Sequence, residues 1–301
     1  MNSFRNREAS ILTLLMLGTT VCLYTGCVDS GTNETDVADE EPAQDQSTVF
    51  KIDNSLFSIP SPFQTALLIN KIEAGYKKDI LNNTSNLTTY STNFKKALNL
   101  GVYGADLGYI TVYDVPQDAI SYLNSVQKLA DELGVSSAFD EKTIKRFQNN
   151  IGNRDSLLTL ISVAYRASDE YLKNNERNDV GALVLTGGWV ESLYFSLNVA
   201  KTNPHQELLN RIGDQKHTID NLINLLRRYN DQEDISKLLN KLIDLAYDFD
   251  AVEMQYTYEK PEVNRDQKVL HVKSKSAAIV SPELLTKLTE KVTSLRGEII
   301  G

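Results

Sequence analysis

The sequence predicts an all-α domain of about nine helices over residues 50–301, and three observations carry that expectation. Apolar residues recur at helical spacing almost throughout, as in Leu208, Ile212, Ile219, Leu222 and Leu226, or Leu284, Leu288, Val292, Leu295 and Ile299. Four prolines, Pro62, Pro116, Pro204 and Pro282, stand where helices should begin, since proline fits a first turn and breaks an interior. Two long segments lack the polar back of a surface helix and must be covered on all sides.

In chain order, Ser61-Pro62-Phe63-Gln64 combines a cap, a first-turn proline and a capping-box glutamine, and opens a helix over 62–81. Helices 91–113, 116–133, 139–151, 155–174, 179–201, 204–229, 233–256 and 283–299 follow. Asp114-Val115-Pro116-Gln117, Asn203-Pro204-His205-Gln206 and Ser281-Pro282-Glu283 repeat the starting pattern, and Gly134 and Gly152 stand where helices close. Strand character is confined to Lys268–Val272, and residues 259–280 read as a long surface excursion.

The two central helices are 91–113 and 179–201. The second holds Trp189, the single tryptophan of the chain, and carries no charge between Val180 and Val190. Trp189 reads as core, and is also counted with Asp106, Tyr109, Tyr113, Glu191 and Tyr194 as a candidate ligand-binding or buried polar cluster. Gly101, Gly104 and Gly108 in one helix, and Gly187 and Gly188 in the other, let backbones come close. At an offset of 85 residues, Ala97/Ala182, Leu98/Leu183, Leu100/Leu185 and Tyr109/Tyr194 are identical and Asp106 meets Glu191, the pattern of a duplicated helix pair or of two helices buried alike.

Residues 1–26 have the plan of a secretory signal: Arg5 and Arg7, then an apolar run from Ile11 to Leu23, then small residues. The run ends in Tyr24-Thr25-Gly26-Cys27, which resembles the lipobox of bacterial lipoproteins, with Tyr24 where leucine is usual. The resemblance implies cleavage before Cys27 and acylation of that residue, and several acyl chains anchor a protein stably. Residues 27–49 read as a tether, because 28–48 contain seven acids and no base and cannot offset the entropy of ordering. Such acidic tracts also resemble export signals of surface lipoproteins. Little of the net charge of −9 then remains for the domain, and without a clustered basic face nucleic acid is not an expected partner.

Chemistry-bearing motifs are absent: three histidines form no metal-binding spacing, and there is no phosphate loop or nucleophile elbow. No cofactor, metal or catalytic set is expected. A polar strip remains inside the apolar helices. Asp106, Tyr109 and Tyr113 share one face, as do Glu191, Tyr194 and Asn198. If the helices pack together, two desolvated carboxyls would repel and raise one pKa, the arrangement used in acid/base work. The structural alternative pairs each acid with tyrosine hydroxyls or with a base such as Arg146 or Arg166. Asp244, Asp248, Asp250 and Glu253 read as a solvated helix face. The expectation for function is an outer-membrane lipoprotein, facing periplasm or cell surface, whose domain binds a protein or glycan partner or serves as a scaffold. An envelope enzyme built on the Asp/Glu/Tyr cluster is the rival.

Overall fold

The computed structural model describes residues 48–301 except 53–54, 60, 136–140, 151–152, 154, 158, 161–176 and 266–267. The signal-like segment, Cys27, all but the end of the acidic tether, Gly152 and Arg166 lie outside the described residues. So does most of the helix expected over 155–174, of which 155–157 and 159–160 are helical.

The fold is mostly helical, with only short antiparallel strands. The described helices are α1 (Pro62–Lys71), α2 (Asn93–Val112), α3 (Pro116–Glu132), α4 (Glu141–Asn149), α5 (Asn178–Thr202), α6 (Gln206–Leu226), α7 (Glu233–Phe249) and α8 (Pro282–Ile300). Helices α2 and α5 form the most extensive contact of any pair. Around them pack α1, which touches both, α3 on α2, α6 on α5, and α8 against both, while α7 bridges α6 and α8. By length and composition α5 would cross a membrane, yet 78% of its apolar window is buried inside the protein. Its lack of a polar face is thus met by neighbouring helices.

Two glycines set how close α2 and α5 come. A Cβ on Gly101 would lie 2.0 Å from the Val184 carbonyl oxygen, and one on Gly187 would lie 1.9 Å from that of Leu98. Only hydrogen fits in either place, so the contact is backbone against backbone. Gly108, expected to share this role, instead faces Phe63 of α1 at an ordinary 3.9 Å.

The bundle departs from expectation at the ends of two helices. Helix α1 stops at Lys71, not 81: Glu73 turns left-handed (φ 59°), and Ala74 N–H reaches back to the Ile69 carbonyl at 3.2 Å. Residues 72–92 then run as loop and short 3₁₀ turns that carry Asn82 into the interior, where it is fully buried. Helix α7 ends at Phe249 rather than 256, because Val252 is buried and the alternating residues after it pair as a strand.

The strand expected within Lys268–Val272 is present over Val269–His271, and further strands appear where none were expected. β1 (Thr48–Ile52) and β2 (Ser55–Ile59) form an antiparallel hairpin where the tether was to pass into the domain. β3 (Glu253–Thr257) pairs with β6 (Lys275–Ile279), and beyond them β4 (Glu262–Asn264) pairs with β5 (Val269–His271). The described residues of the surface excursion thus form two strand pairs between α7 and α8, the β-arm.

Helix starts follow the prolines at Pro62, Pro116 and Pro282, with the Ser281 hydroxyl capping Leu284 N–H at 3.2 Å. Ser61 makes no side-chain cap, and Asp114 sits at φ 52° at the end of α2 without capping α3. Helix α6 begins two residues after Pro204, capped by His205 Nδ1, which accepts from Glu207 N–H at 3.3 Å. Gly134 closes α3 at φ 72° as expected. Asp244, Asp250 and Glu253 are exposed as expected, but Asp248 is buried between Lys287 and Lys291 of α8, each at 2.6 Å, and Asp244 meets Lys291 at 2.7 Å.

Candidate functional site

Packing α2 on α5 brings Asp106 and Glu191 together, as the sequence suggested. Both are fully buried, and their carboxyls face each other within hydrogen-bonding reach. The third member is Arg296 of α8. Its Nε donates to Glu191 Oε2 and its Nη2 to Oε1, both at 2.6 Å, while Nη2 also donates to the Ile80 carbonyl at 2.9 Å. The guanidinium lies over the Tyr194 ring, 4.2 Å from its centroid, a cation–π contact.

One cation between two carboxyls leaves the centre balanced only when one acid keeps its proton. Burial and the neighbouring Glu191 push Asp106 well above the usual carboxylate range. Burial also raises Glu191, and Arg296 offsets part of that rise without cancelling it, holding Glu191 in a two-point hydrogen bond that Asp106 lacks. Burial alone would lower Arg296, and the Glu191 carboxylate reverses that and raises it. Asp106 is therefore the neutral acid and Glu191 the ionised one. Asp106 Oδ2 accepts the Asn82 N–H at 3.3 Å, while Oδ1 has no hydrogen-bond partner among the described residues.

Asn82 extends this centre into a network. Its Nδ2 donates to Tyr90 Oη at 3.0 Å and to Asn99 Oδ1 at 3.3 Å, and its carbonyl accepts from Tyr122 Oη at 2.9 Å. Asn99 donates to the Ile299 carbonyl at 2.8 Å, and Tyr103 to that of Asn83 at 2.9 Å. The loop 72–92, α2, α3 and the end of α8 are thus joined through buried polar atoms, the class of network that specifies one packing when fully satisfied.

The other proposed members go elsewhere. Tyr109 and Tyr113 stack with Tyr76, at centroid distances of 5.7 and 5.6 Å, under the turn after α1. The Tyr109 hydroxyl accepts from Lys77 N–H at 3.1 Å, and that of Tyr113 donates to the Ala74 carbonyl. Neither hydroxyl reaches an acid. Asn198 bonds to the Tyr194 carbonyl of its own helix. Trp189 is core, as expected, and its Nε1–H donates to Gln215 Oε1 of α6 at 2.8 Å, on another side of α5 from the acids. Of the six residues proposed to cluster, only Asp106, Glu191 and Tyr194 meet.

Arg296, Asn82 and Asn99 were missed. The expected bases were Arg146, which is exposed on α4, and Arg166. Arg296 had one visible mark: it follows Leu295 and precedes Ile299 within an apolar helix, so the α8 stripe takes it inward. Nothing local marks Asn82, whose place depends on where α1 stops.

Among the described residues, Asp106 and Glu191 have no exposed surface. A shallow hollow at the start of α8, lined by Pro282, Glu283, Thr286, Lys287 and Glu290, includes none of these residues. Among the described residues, no three His, Cys, Asp or Glu side chains are grouped to hold a metal ion. Compared with known proteins, the chain matches no family profile, no curated sequence and no solved structure.

Proposed function

We propose that the chain is a lipid-anchored protein of the bacterial outer membrane whose helical domain is a binding or scaffold module, without chemistry at the Asp106/Glu191 pair. The anchor reading rests on residues 1–27, where an apolar run ends in Gly26-Cys27 before an acidic tract. The scaffold reading is carried by one observation: both acids are shut from water, and the ionised one has both oxygens taken by Arg296. A general base needs a free oxygen within reach of substrate, and neither acid provides one. What the domain does offer outward is the β-arm, where Met254, Tyr256, Tyr258, Val263, Leu270 and Val272 are exposed. Surface apolar groups gathered in this way mark interaction sites.

Two measurements test the proposal. Metabolic palmitate labelling is expected in the wild type and lost in Cys27→Ala; labelling that survives the substitution removes the anchor. For the domain, Asp106→Asn is expected to fold and to keep whatever cellular role the wild type has. A folded Asp106→Asn protein without that role returns the enzyme reading.

A further inference from the structure

We infer that the outer edge of β3, Glu253–Thr257, is where a second copy of this chain pairs, strand against strand about a two-fold axis. Which edge is open follows from hydrogen bonds on the other side of the β3–β6 ribbon. Ala278 N–H donates to Asn210 Oδ1 of α6 at 2.8 Å, its carbonyl accepts from Gln206 Nε2 at 3.0 Å, and Asn210 Nδ2 reaches the Ser276 carbonyl at 3.5 Å. The backbone of Ala278 and Ser276 therefore points away from β3, so Met254 and Tyr256, which stand opposite them, belong to pairs without ladder hydrogen bonds. Both turn their N–H and C=O groups to the outer edge. Glu259, of the other parity, turns its own inward to Ser274 Oγ, at 3.1 Å each. Among the described residues nothing bonds to the outward backbone groups of Met254 and Tyr256, and all five residues of β3 are exposed. One edge of the ribbon is thus covered by α6 and the other is open, without the proline, lysine or bulge that usually blunts such an edge.

Register, packing and charge fit this edge to itself. A pairing centred on Gln255 sets Met254 opposite Tyr256 of the second copy and Tyr256 opposite its Met254, each pair exchanging two hydrogen bonds, with Gln255 facing Gln255 between them. Side chains two apart share a face. On that face Ala278 and the Met254 sulfur lie against Gly213 of α6, while Met254 and Tyr256 overhang the helix, 48% and 64% exposed. A two-fold axis normal to the sheet keeps both copies of α6 on one side, so each Met254 meets the Tyr256 of the other copy and covers what one chain leaves bare. Glu253 then stands opposite Thr257 of the second copy, whose own ladder partner is Lys275. An acid thus approaches a base at each end of the interface, and no like charges meet across it. A two-stranded ribbon is marginal in water, whereas four strands backed by helices meet the usual requirement for a stable sheet. The inference rests on the binding-or-scaffold reading of the domain, whose partner it names, and not on the lipid anchor. Loss of self-pairing and loss of palmitate labelling are read separately.

The test uses the full chain in mild detergent with Cys22→Ala and Cys27→Ala, so that any disulfide comes from an introduced cysteine. Opposed residues of a pair without ladder bonds have Cα atoms about 4.5 Å apart, within disulfide range. Gln255→Cys is therefore expected to give a covalent dimer on mild oxidation. Glu253→Cys and Thr257→Cys should give little alone and a dimer when mixed, because each opposes the other and not itself. Tyr256→Pro removes an outward N–H that β6 does not use, and is expected to weaken dimerisation about tenfold or more in sedimentation equilibrium, with circular dichroism and melting unchanged. Tyr256→Lys keeps the backbone and sets a charge on the edge, and should act alike. A monomer at every concentration, no disulfide from Gln255→Cys, or dimers of both Tyr256 variants as tight as those of the unsubstituted chain would each overturn the inference.

Discussion

Arg296 and Glu191, 105 residues apart in sequence, meet through two parallel hydrogen bonds of 2.6 Å in the interior of the bundle. The last helix is thereby bolted to the central one, and Nη2 reaches on to Ile80 in the loop after α1. An ion pair so enclosed is costly to form and more costly to halve, because removing one partner leaves the other charged, buried and alone.

Glu191→Gln and Arg296→Met are therefore expected each to lose about 3–5 kcal/mol of stability. Glu191→Met combined with Arg296→Met should recover much of that loss. Urea unfolding measures all three. Single variants within about 0.5 kcal/mol of wild type, the scatter of ordinary surface changes, would mean the pair is not enclosed as described.

Asp106 gives the opposite response. Its folded pKa lies above the unfolded one, so the native state keeps a proton that the unfolded chain releases. The stability this contributes is fully present below about pH 4 and is lost as pH rises through the elevated pKa. Asp106→Asn holds a neutral, hydrogen-bonding group at the same place, and should melt at or above the wild-type temperature with a flatter profile as pH rises above about 4. A wild type that gains stability over that range, with the gain erased by Asn, would reverse the assignment of the proton.

At Gly187 the expectation is steric. An alanine methyl would sit 1.9 Å from the Leu98 carbonyl oxygen, so α2 and α5 must separate, at a cost of about 3 kcal/mol or more. Gly101→Ala should behave alike. Gly297 of α8 has open space around it, and Gly297→Ala should stabilise by roughly 0.5–1 kcal/mol through helix propensity. Thermal melts that fail to separate Gly187→Ala from Gly297→Ala would contradict the close approach.

Trp189, the single tryptophan, is a reporter of the core. Its emission should be blue-shifted and poorly quenched by acrylamide, and should move red in one step with unfolding. Gln215→Ala leaves the indole N–H without its partner and is expected to cost about 1–3 kcal/mol. Ready quenching in the native state would show that α5 is not enclosed.

Helix type and order were legible in the chain because a 3.6-residue apolar period and first-turn prolines are local facts. So was the enclosure of α5, since an uncharged helix has no face to give to water. Ends were legible only where a residue type forces them. Gly134 stops α3 visibly, but α1 stops at Lys71 through a left-handed Glu73, which no composition rule marks. That one turn decides whether Asn82 enters the core, and with it the partner of Asp106.

The sequence by itself determined that two apolar helices, each with one acid, must lie at the centre of an α-helical domain, because burial of apolar surface leaves them no other place. Which base answers those acids was decided only by tertiary structure. Arg296 lies 105 residues beyond Glu191, and its approach depends on how α8 returns from the β-arm across α5. The fates of Tyr109 and Tyr113 were likewise settled by a loop packed over them, which took hydroxyls that helix periodicity alone had assigned to the acids.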